Sequence, residues 1–350
     1  MVRCRRRFAG RCQSRSHSSE DAAVGRQPAG RRAGGPRRVR HVLEGPFAEA
    51  GEAAEGARLE LREAHAASTG DWSGHKLWPS ALALLEHLHR GRGEALRGLR
   101  VLELGCGLPL LAAALAALGA EVCATDHPEV LPHAEEVLEL EVDGASPGAK
   151  LHGLAPAARQ RLRLRGLAWG GDGAGEVARN LSELCGFSGP VDLLIGADLV
   201  YHDFPLEPLR ETLVGALRAH GATAVLALQP RRFPMAAALK EPRRVASFLK
   251  SLSAQGDGWD VRLDQPGKDL RTALGEEAVD GLVLATITPE GASSRGRPPA
   301  GDAAAGAGWR PVRYLREELP AEEGRGGAGA AAAAAAAEGP RRSLPRTLEL

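Results

Sequence analysis

Residues 101–126, VLELGCGLPLLAAALAALGAEVCATD, leave a chain few ways to fold. An apolar run closes on Gly105 and Gly107. A helical stretch follows and stops at Gly119, a residue type that tolerates the left-handed end of a helix. A second apolar run then stops at Asp126. Strand, helix and strand in this order, with nearly continuous apolar strands, predict a parallel pair buried on both faces, because parallel neighbours need a crossover helix.

The alternation continues down the chain. PSALALLEHLH (79–89) carries Leu82, Leu84, Leu85 and Leu88 at helical spacing, and a further helix is expected from about Pro128 to Leu140. RLRLRGLAWG (161–170) and VDLLIGADLVY (191–201) read as strands. PLEPLRETLVGALRAH (205–220) reads as an amphipathic helix, and ATAVLALQP (222–230) as a strand. A helix near 242–256 precedes two strands, WDVRLD and GLVLATITP. The fold class expected is α/β: a Rossmann-like seven-stranded, mostly parallel sheet with helices on both faces. The last two strands lack a long connecting helix, which predicts an antiparallel strand at one edge.

Composition sets the domain limits. Residues 1–43 hold twelve arginines against Glu20 and Asp21, a balance of +10, which leaves −9 for the remainder of a chain whose net charge is +1. An acidic body does not suit phosphate tracking, so nucleic acid is not the expected partner. The head, rich in Arg and Ser, has the composition of an organelle transit peptide or of a disordered arm. A cytoplasmic protein is expected, with organelle targeting through that head as the open alternative. Residues 44–290 are the expected folded domain, and 291–350 an expected low-complexity disordered tail. Within the tail, WRPVRYLREEL (309–319) docks back, binds a partner or serves as an inert linker. Cys4, Cys12, Cys106, Cys123 and Cys185 form no C-x-x-C pair, so neither a disulfide framework nor a metal site is indicated. No apolar run is long enough to span a bilayer, and a monomer is expected.

In a sheet of this kind ligands bind at the carboxyl ends of the strands. Gly105 and Gly107 permit a sharp turn and a close backbone approach there. A dinucleotide fingerprint would require a third glycine where Leu110 stands, which argues against NAD. Pro109, read as the first helical residue, stiffens the turn but removes one amide from anion binding. A phosphate-free cofactor tolerates that loss better than a pyrophosphate does. Asp126 can accept hydrogen bonds from both ribose hydroxyls, or cap the helix that begins near Pro128.

From these residues outward the chain resembles the seven-β-strand, S-adenosylmethionine-dependent methyltransferases, and within them methyltransferase family 16, which contains many protein lysine methyltransferases. The resemblance covers about residues 68–290. It is carried by STGDWSGHKLWPSALALLEHL, VLELGCG, GAEVCATD, LAWG, GADLVY and LALQPRR. The order of KLWPS, LAWG and DLVY is its most specific part. Position 109 is usually glycine in the family, and position 112, here Ala112, often is as well.

The resemblance implies S-adenosyl-L-methionine as cofactor and a protein substrate methylated on lysine. It implies that Trp78 lies beside the cofactor and that Glu103, Gly105 and Gly107 line its methionine end. Asp126 would hold the ribose, Trp169 would pack on the adenine and Ala197 would shape the pocket floor. Asp198 and Tyr201 would face the substrate amine. Read without the family, Trp78 and Trp169 are equally core tryptophans, and Asp198 equally a loop-bracing carboxylate. Cys106 has no histidine near it in sequence to activate a nucleophile. A small-molecule methyltransferase shares every cofactor residue and differs only at the substrate edge. A silent interaction module keeps the fold without the chemistry. A nucleic-acid amine methyltransferase would carry two prolines where DLVY has Leu199 and Val200.

Overall fold

The computed structural model describes residues 38–47, 58–64, 76–138, 150–170, 180–201, 205–230, 241–252, 258–289, 312–319 and 346–349. Its strands in chain order are β1 (Arg38–Glu44), β2 (Arg58–Ala64), β3 (Arg100–Leu104), β4 (Glu121–Asp126), β5 (Lys150–His152) and β6 (Leu162–Gly166). They continue with β7 (Leu193–Ala197), β8 (Thr223–Leu228), β9 (Trp259–Asp264), β10 (Val283–Pro289), β11 (Arg313–Leu319) and β12 (Arg346–Glu349). Helices α1 (Pro79–Arg92), α2 (Leu110–Ala117) and α3 (Leu131–Leu138) belong to the first half. Later helices span Leu206–His220 and Glu241–Leu252.

The main sheet has seven strands in the order β6-β4-β3-β7-β8-β10-β9. β3 pairs in parallel with β4 and β7, β4 with β6, and β7 with β8. β10 is antiparallel to both of its neighbours and lies one place in from the edge, with β9 outside it. The expected hairpin is therefore present as a pairing. Two short helices, Lys268–Leu274 and Glu276–Val279, fill its connection.

Alternation along the central strands supplies two cores. Val101, Leu193, Ile195 and Val225 pack with α1, α2 and α3 on one face. Leu102, Leu104, Leu194 and Leu226 pack with helices 206–220 and 241–252 on the other. Each fully buried leucine contributes roughly 1.5–3 kcal/mol relative to an exposed one. Glu103 alternates with Leu102 and Leu104, so this one carboxyl is sent to the face that α1 and α2 cover.

A second sheet, β12-β11-β1-β2-β5, is antiparallel throughout. It moves the ordered body outward from the expected boundaries at residues 43 and 290. β1 lies between β2 and β11 and sends Val39, His41 and Leu43 to a buried face, while Arg40 on the other face meets Glu317 at 3.1 Å and Glu60 at 3.7 Å. The YLREEL part of the tail motif is thus a paired strand rather than a linker. Of the head expected over residues 1–43 as a transit peptide or disordered arm, residues 1–37 lie outside the described residues and 38–43 form most of β1; Trp309 of the tail motif also lies outside them. No helix among the described residues is long and apolar enough to cross a membrane.

Candidate active site

Where β3 ends, Gly105 and Gly107 both adopt positive φ, at 65° and 48°. These values suit glycine and turn the chain away from the sheet. Leu108 and Pro109 complete the turn. Pro109 is the N-cap of α2, one place before the position expected from the sequence, and its carbonyl accepts the first helical bond from the Ala113 N–H at 3.0 Å. The proline still costs the helix no bond, because its missing N–H precedes the hydrogen-bonded part.

Asp126 ends β4 and anchors this turn. Its Oδ2 accepts the Gly107 N–H at 2.8 Å and its Oδ1 accepts the His127 N–H at 2.7 Å. A carboxylate offers about four lone-pair sites, so acceptor capacity remains on each oxygen for a ligand's hydroxyls. Burial raises the Asp126 pKa, and the two N–H donors partly offset that rise.

Glu103 lies beneath the turn at 2 % exposure, and among the described residues its Oε2 has no hydrogen-bond partner. Burial, followed by the charge of Asp126, holds its carboxyl well above the usual carboxylate range. A buried acceptor left unpaired is costly unless a ligand satisfies it. Cys106, between the two glycines, also has its thiol pushed well up, first by burial and then by Glu103 and Asp126. That environment favours the neutral thiol over the thiolate that a nucleophile requires.

Three further segments close the cleft. Lys76, Leu77 and Trp78 lead into α1, Trp169 stands beyond the end of β6, Ala197 ends β7, and Asp198, Leu199 and Tyr201 follow it. Trp169 was expected within a strand, but β6 stops at Gly166 and leaves LAWG as loop. Its indole reaches the glycine turn: a Cβ on Gly105 would lie 3.4 Å from Cζ2 of Trp169 and 2.8 Å from Cδ2 of Leu199. Asp198 is buried and has a φ of 55°, the one positive value outside glycine among the described residues. Its Oδ2 accepts the Ser80 hydroxyl at 2.7 Å. Burial and then the charge of Asp126 raise the Tyr201 pKa, which keeps the phenol neutral.

All nine residues singled out from the sequence (Trp78, Glu103, Gly105, Gly107, Asp126, Trp169, Ala197, Asp198 and Tyr201) line this one cleft, which is open to solvent on one side. The sequence alone does not single out Ser80, within the KLWPS motif, nor Lys76 and Leu199 in the lining. A serine directly after a proline at a helix start was the available signal for Ser80.

A doubly wound sheet whose glycine turn is held by the acid at the end of the next strand defines a Rossmann-like, nucleoside-binding protein. Comparison with known proteins narrows the class. A family model described as lysine methyltransferase matches residues 55–253, more than half of the chain. Mouse protein N-lysine methyltransferase METTL21A is 30% identical over 194 residues, covering 55% of this chain and 73% of that protein. Mouse EEF1A lysine methyltransferase 3 is 30% identical over 143 residues, covering 41% of this chain and 49% of that protein. Zebrafish METTL21A is 33% identical over 138 residues, covering 39% and 52%. The chain thus spans about half the length of the last two relatives. Among solved structures, S-adenosylmethionine-bound magnesium protoporphyrin IX methyltransferase from Synechocystis PCC 6803 is 14% identical, covers 61% of this chain and 80% of its own, and has a TM-score of 0.36, a likeness too distant to carry an argument. The chain belongs to the lysine methyltransferase family. It is a methyltransferase.

Proposed function

We propose that this enzyme transfers the methyl group of S-adenosylmethionine to a lysine side chain of a protein substrate. The observation that carries the reading is the junction of two sets of groups in one cleft: the Glu103–Asp126 glycine turn and the Asp198–Tyr201 strand end. The family membership and the names of the curated relatives, which are protein lysine methyltransferases, support lysine as the acceptor.

The residues fit the cofactor. Glu103 Oε2, buried and without a hydrogen-bond partner among the described residues, suits the cationic methionine end, and the remaining lone pairs of Asp126 suit the ribose hydroxyls. Trp169 offers a flat apolar face beside Gly105 for the adenine, and Trp78 and Ala197 line the same cleft. Bound here, S-adenosylmethionine supplies an electrophilic methyl carbon. The protein's remaining task is alignment of the amine with that carbon.

A lysine amine has an ordinary pKa near 10.4, so presenting it neutral at pH 7 costs about 4.6 kcal/mol if nothing shifts it. Desolvation lowers that cost, whereas a carboxylate alone raises it. Asp198 accordingly orients the amine by accepting its N–H bonds, and the half-buried Tyr201 excludes water beside it. The test is incubation of the purified protein with labelled S-adenosylmethionine and a cell lysate, followed by mass spectrometry of the labelled residue. Label on protein lysine is expected; cofactor binding with label only on small molecules overturns the substrate class, and no binding at millimolar cofactor overturns the enzyme reading.

A further inference from the structure

The second sheet has a buried polar line that runs to the cofactor cleft. Tyr314 on β11, His41 on β1 and Glu63 on β2 are 4 %, 4 % and 7 % exposed. The Tyr314 hydroxyl and His41 Nδ1 are 2.8 Å apart, and the two rings stack at an interplanar angle of 18°. On its other side His41 Nε2 stands 3.4 Å from Glu63 Oε1, a close polar contact rather than a hydrogen bond. That same oxygen accepts the backbone N–H of Leu77.

Leu77 joins Lys76 and Trp78 in the wall of the cleft. Directly after them the Trp78 carbonyl accepts the Ala81 N–H to open α1, and the Ser80 hydroxyl reaches Asp198. Residues 76–80 are therefore tied at both ends. One end is held by the carboxyl end of β7, and the other by a carboxylate belonging to the second sheet. A buried polar group of this kind is costly unless its partners are in place, and a satisfied network fixes one arrangement of the backbone it holds. β1 buries its apolar side chains against the protein, and β11 covers its far edge through seven residue pairs. Apolar packing alone would secure that pairing, so it does not require the polar line.

We propose that Tyr314, His41 and Glu63 are positioning residues that set the Leu77–Trp78 wall of the cofactor site, which makes strand 313–319 a working part of the methyltransferase. The inference rests on the cofactor reading above. Glu63 holds the Leu77 amide, His41 backs the Glu63 carboxylate through the 3.4 Å contact, and the Tyr314 hydroxyl fixes the His41 ring. None of the three lines the cleft, so their effect passes entirely through the backbone at Leu77.

The test uses the full-length chain and two readouts: the S-adenosylmethionine dissociation constant by titration calorimetry, and kcat and KM for methyl transfer. Glu63→Ala removes the acceptor for Leu77 and is expected to weaken cofactor binding about tenfold while kcat stays within about twofold. Glu63→Gln keeps an acceptor oxygen and is expected to restore most of the affinity. Tyr314→Phe removes one hydroxyl from a strand that β1 still pairs, and keeps the variant set informative if Glu63→Ala does not fold; about threefold weaker binding is expected. Combining Tyr314→Phe with Glu63→Gln should give a non-additive loss, as linked groups do. Wild-type affinity in both Tyr314→Phe and Glu63→Ala, or strict additivity, overturns the relay alone. A wild-type protein that binds no S-adenosylmethionine overturns the cofactor reading and the relay together.

Discussion

The Ser80 hydroxyl donates a hydrogen bond of 2.7 Å to Asp198 Oδ2 in the buried floor between α1 and the end of β7. The bond joins residues 118 positions apart. It holds a carboxylate whose backbone already sits at a φ of 55°, so both the side chain and the main chain of Asp198 are constrained. Restraint of this kind suits a group that must meet an amine in one orientation.

Removing that donor should therefore affect the reaction more than cofactor binding. In Ser80→Ala, kcat is expected to fall about tenfold, the value of a hydrogen bond to a charged group, with the S-adenosylmethionine dissociation constant unchanged. Steady-state kinetics and calorimetric titration check the two halves. A rise in the dissociation constant matching the fall in kcat would place Ser80 at the cofactor instead.

The positive φ also decides which substitution can test Asp198. Alanine in the left-handed region costs roughly 1–2 kcal/mol, whereas asparagine visits it readily. Asp198→Asn is expected to keep the wild-type melting temperature and to lose roughly a hundredfold in kcat. Asp198→Ala should lose activity and stability together. An active Asp198→Asn protein would remove the carboxylate from the reaction.

These two residues also mark the boundary of what the sequence discloses. Strand, glycine turn and terminal acid occupy one contiguous stretch, so Gly105, Gly107 and Asp126 are legible locally, and apolar runs reveal seven strands. Ser80 depends on a partner in a distant strand. The second sheet is more hidden still: His41 and Tyr314 are 273 positions apart, one in an arginine-rich head and the other in a low-complexity tail. Short alternating strands flanked by such composition carry little local signal, and their pairing is decided by the other strand. Pro109 was legible in its effect and displaced by one residue in its place, a difference within the usual ambiguity of helix ends.

Gly105 and Gly221 form a natural pair of probes. Both have positive φ, at 65° and 61°, but a Cβ at Gly221, in the left-handed cap of helix 206–220, would meet nothing within 4 Å, while one at Gly105 would lie 2.8 Å from the buried Leu199 side chain. Gly221→Ala should show the conformational cost alone, about 1–2 kcal/mol, with normal cofactor affinity. Gly105→Ala should cost more and weaken binding at least tenfold, roughly 1.4 kcal/mol, because the Leu199 side chain that lines the cleft must move. Denaturant melts and titrations of the two variants check this. Equal stability losses would show that the turn has slack the contact distances do not suggest.

Glu103 should trade stability for binding. Its folded-state pKa is raised well above the usual range, by burial first and by Asp126 second. A raised carboxyl contributes stability that is complete below its unfolded pKa, about 4.3, and that is lost as pH rises through the folded value. Glu103→Gln cannot ionise, so the cofactor-free variant should melt higher than wild type near pH 8, and the gap should close near pH 4. The same variant lacks the anion for the methionine end, and its affinity for S-adenosylmethionine should fall roughly 10- to 100-fold, equivalent to about 1.5–3 kcal/mol. Calorimetric melts at both pH values, with and without S-adenosylmethionine, measure both effects. A variant that melts lower than wild type near pH 8 without cofactor would show that the buried carboxyl has partners in the protein itself, and would remove the argument that it awaits a ligand.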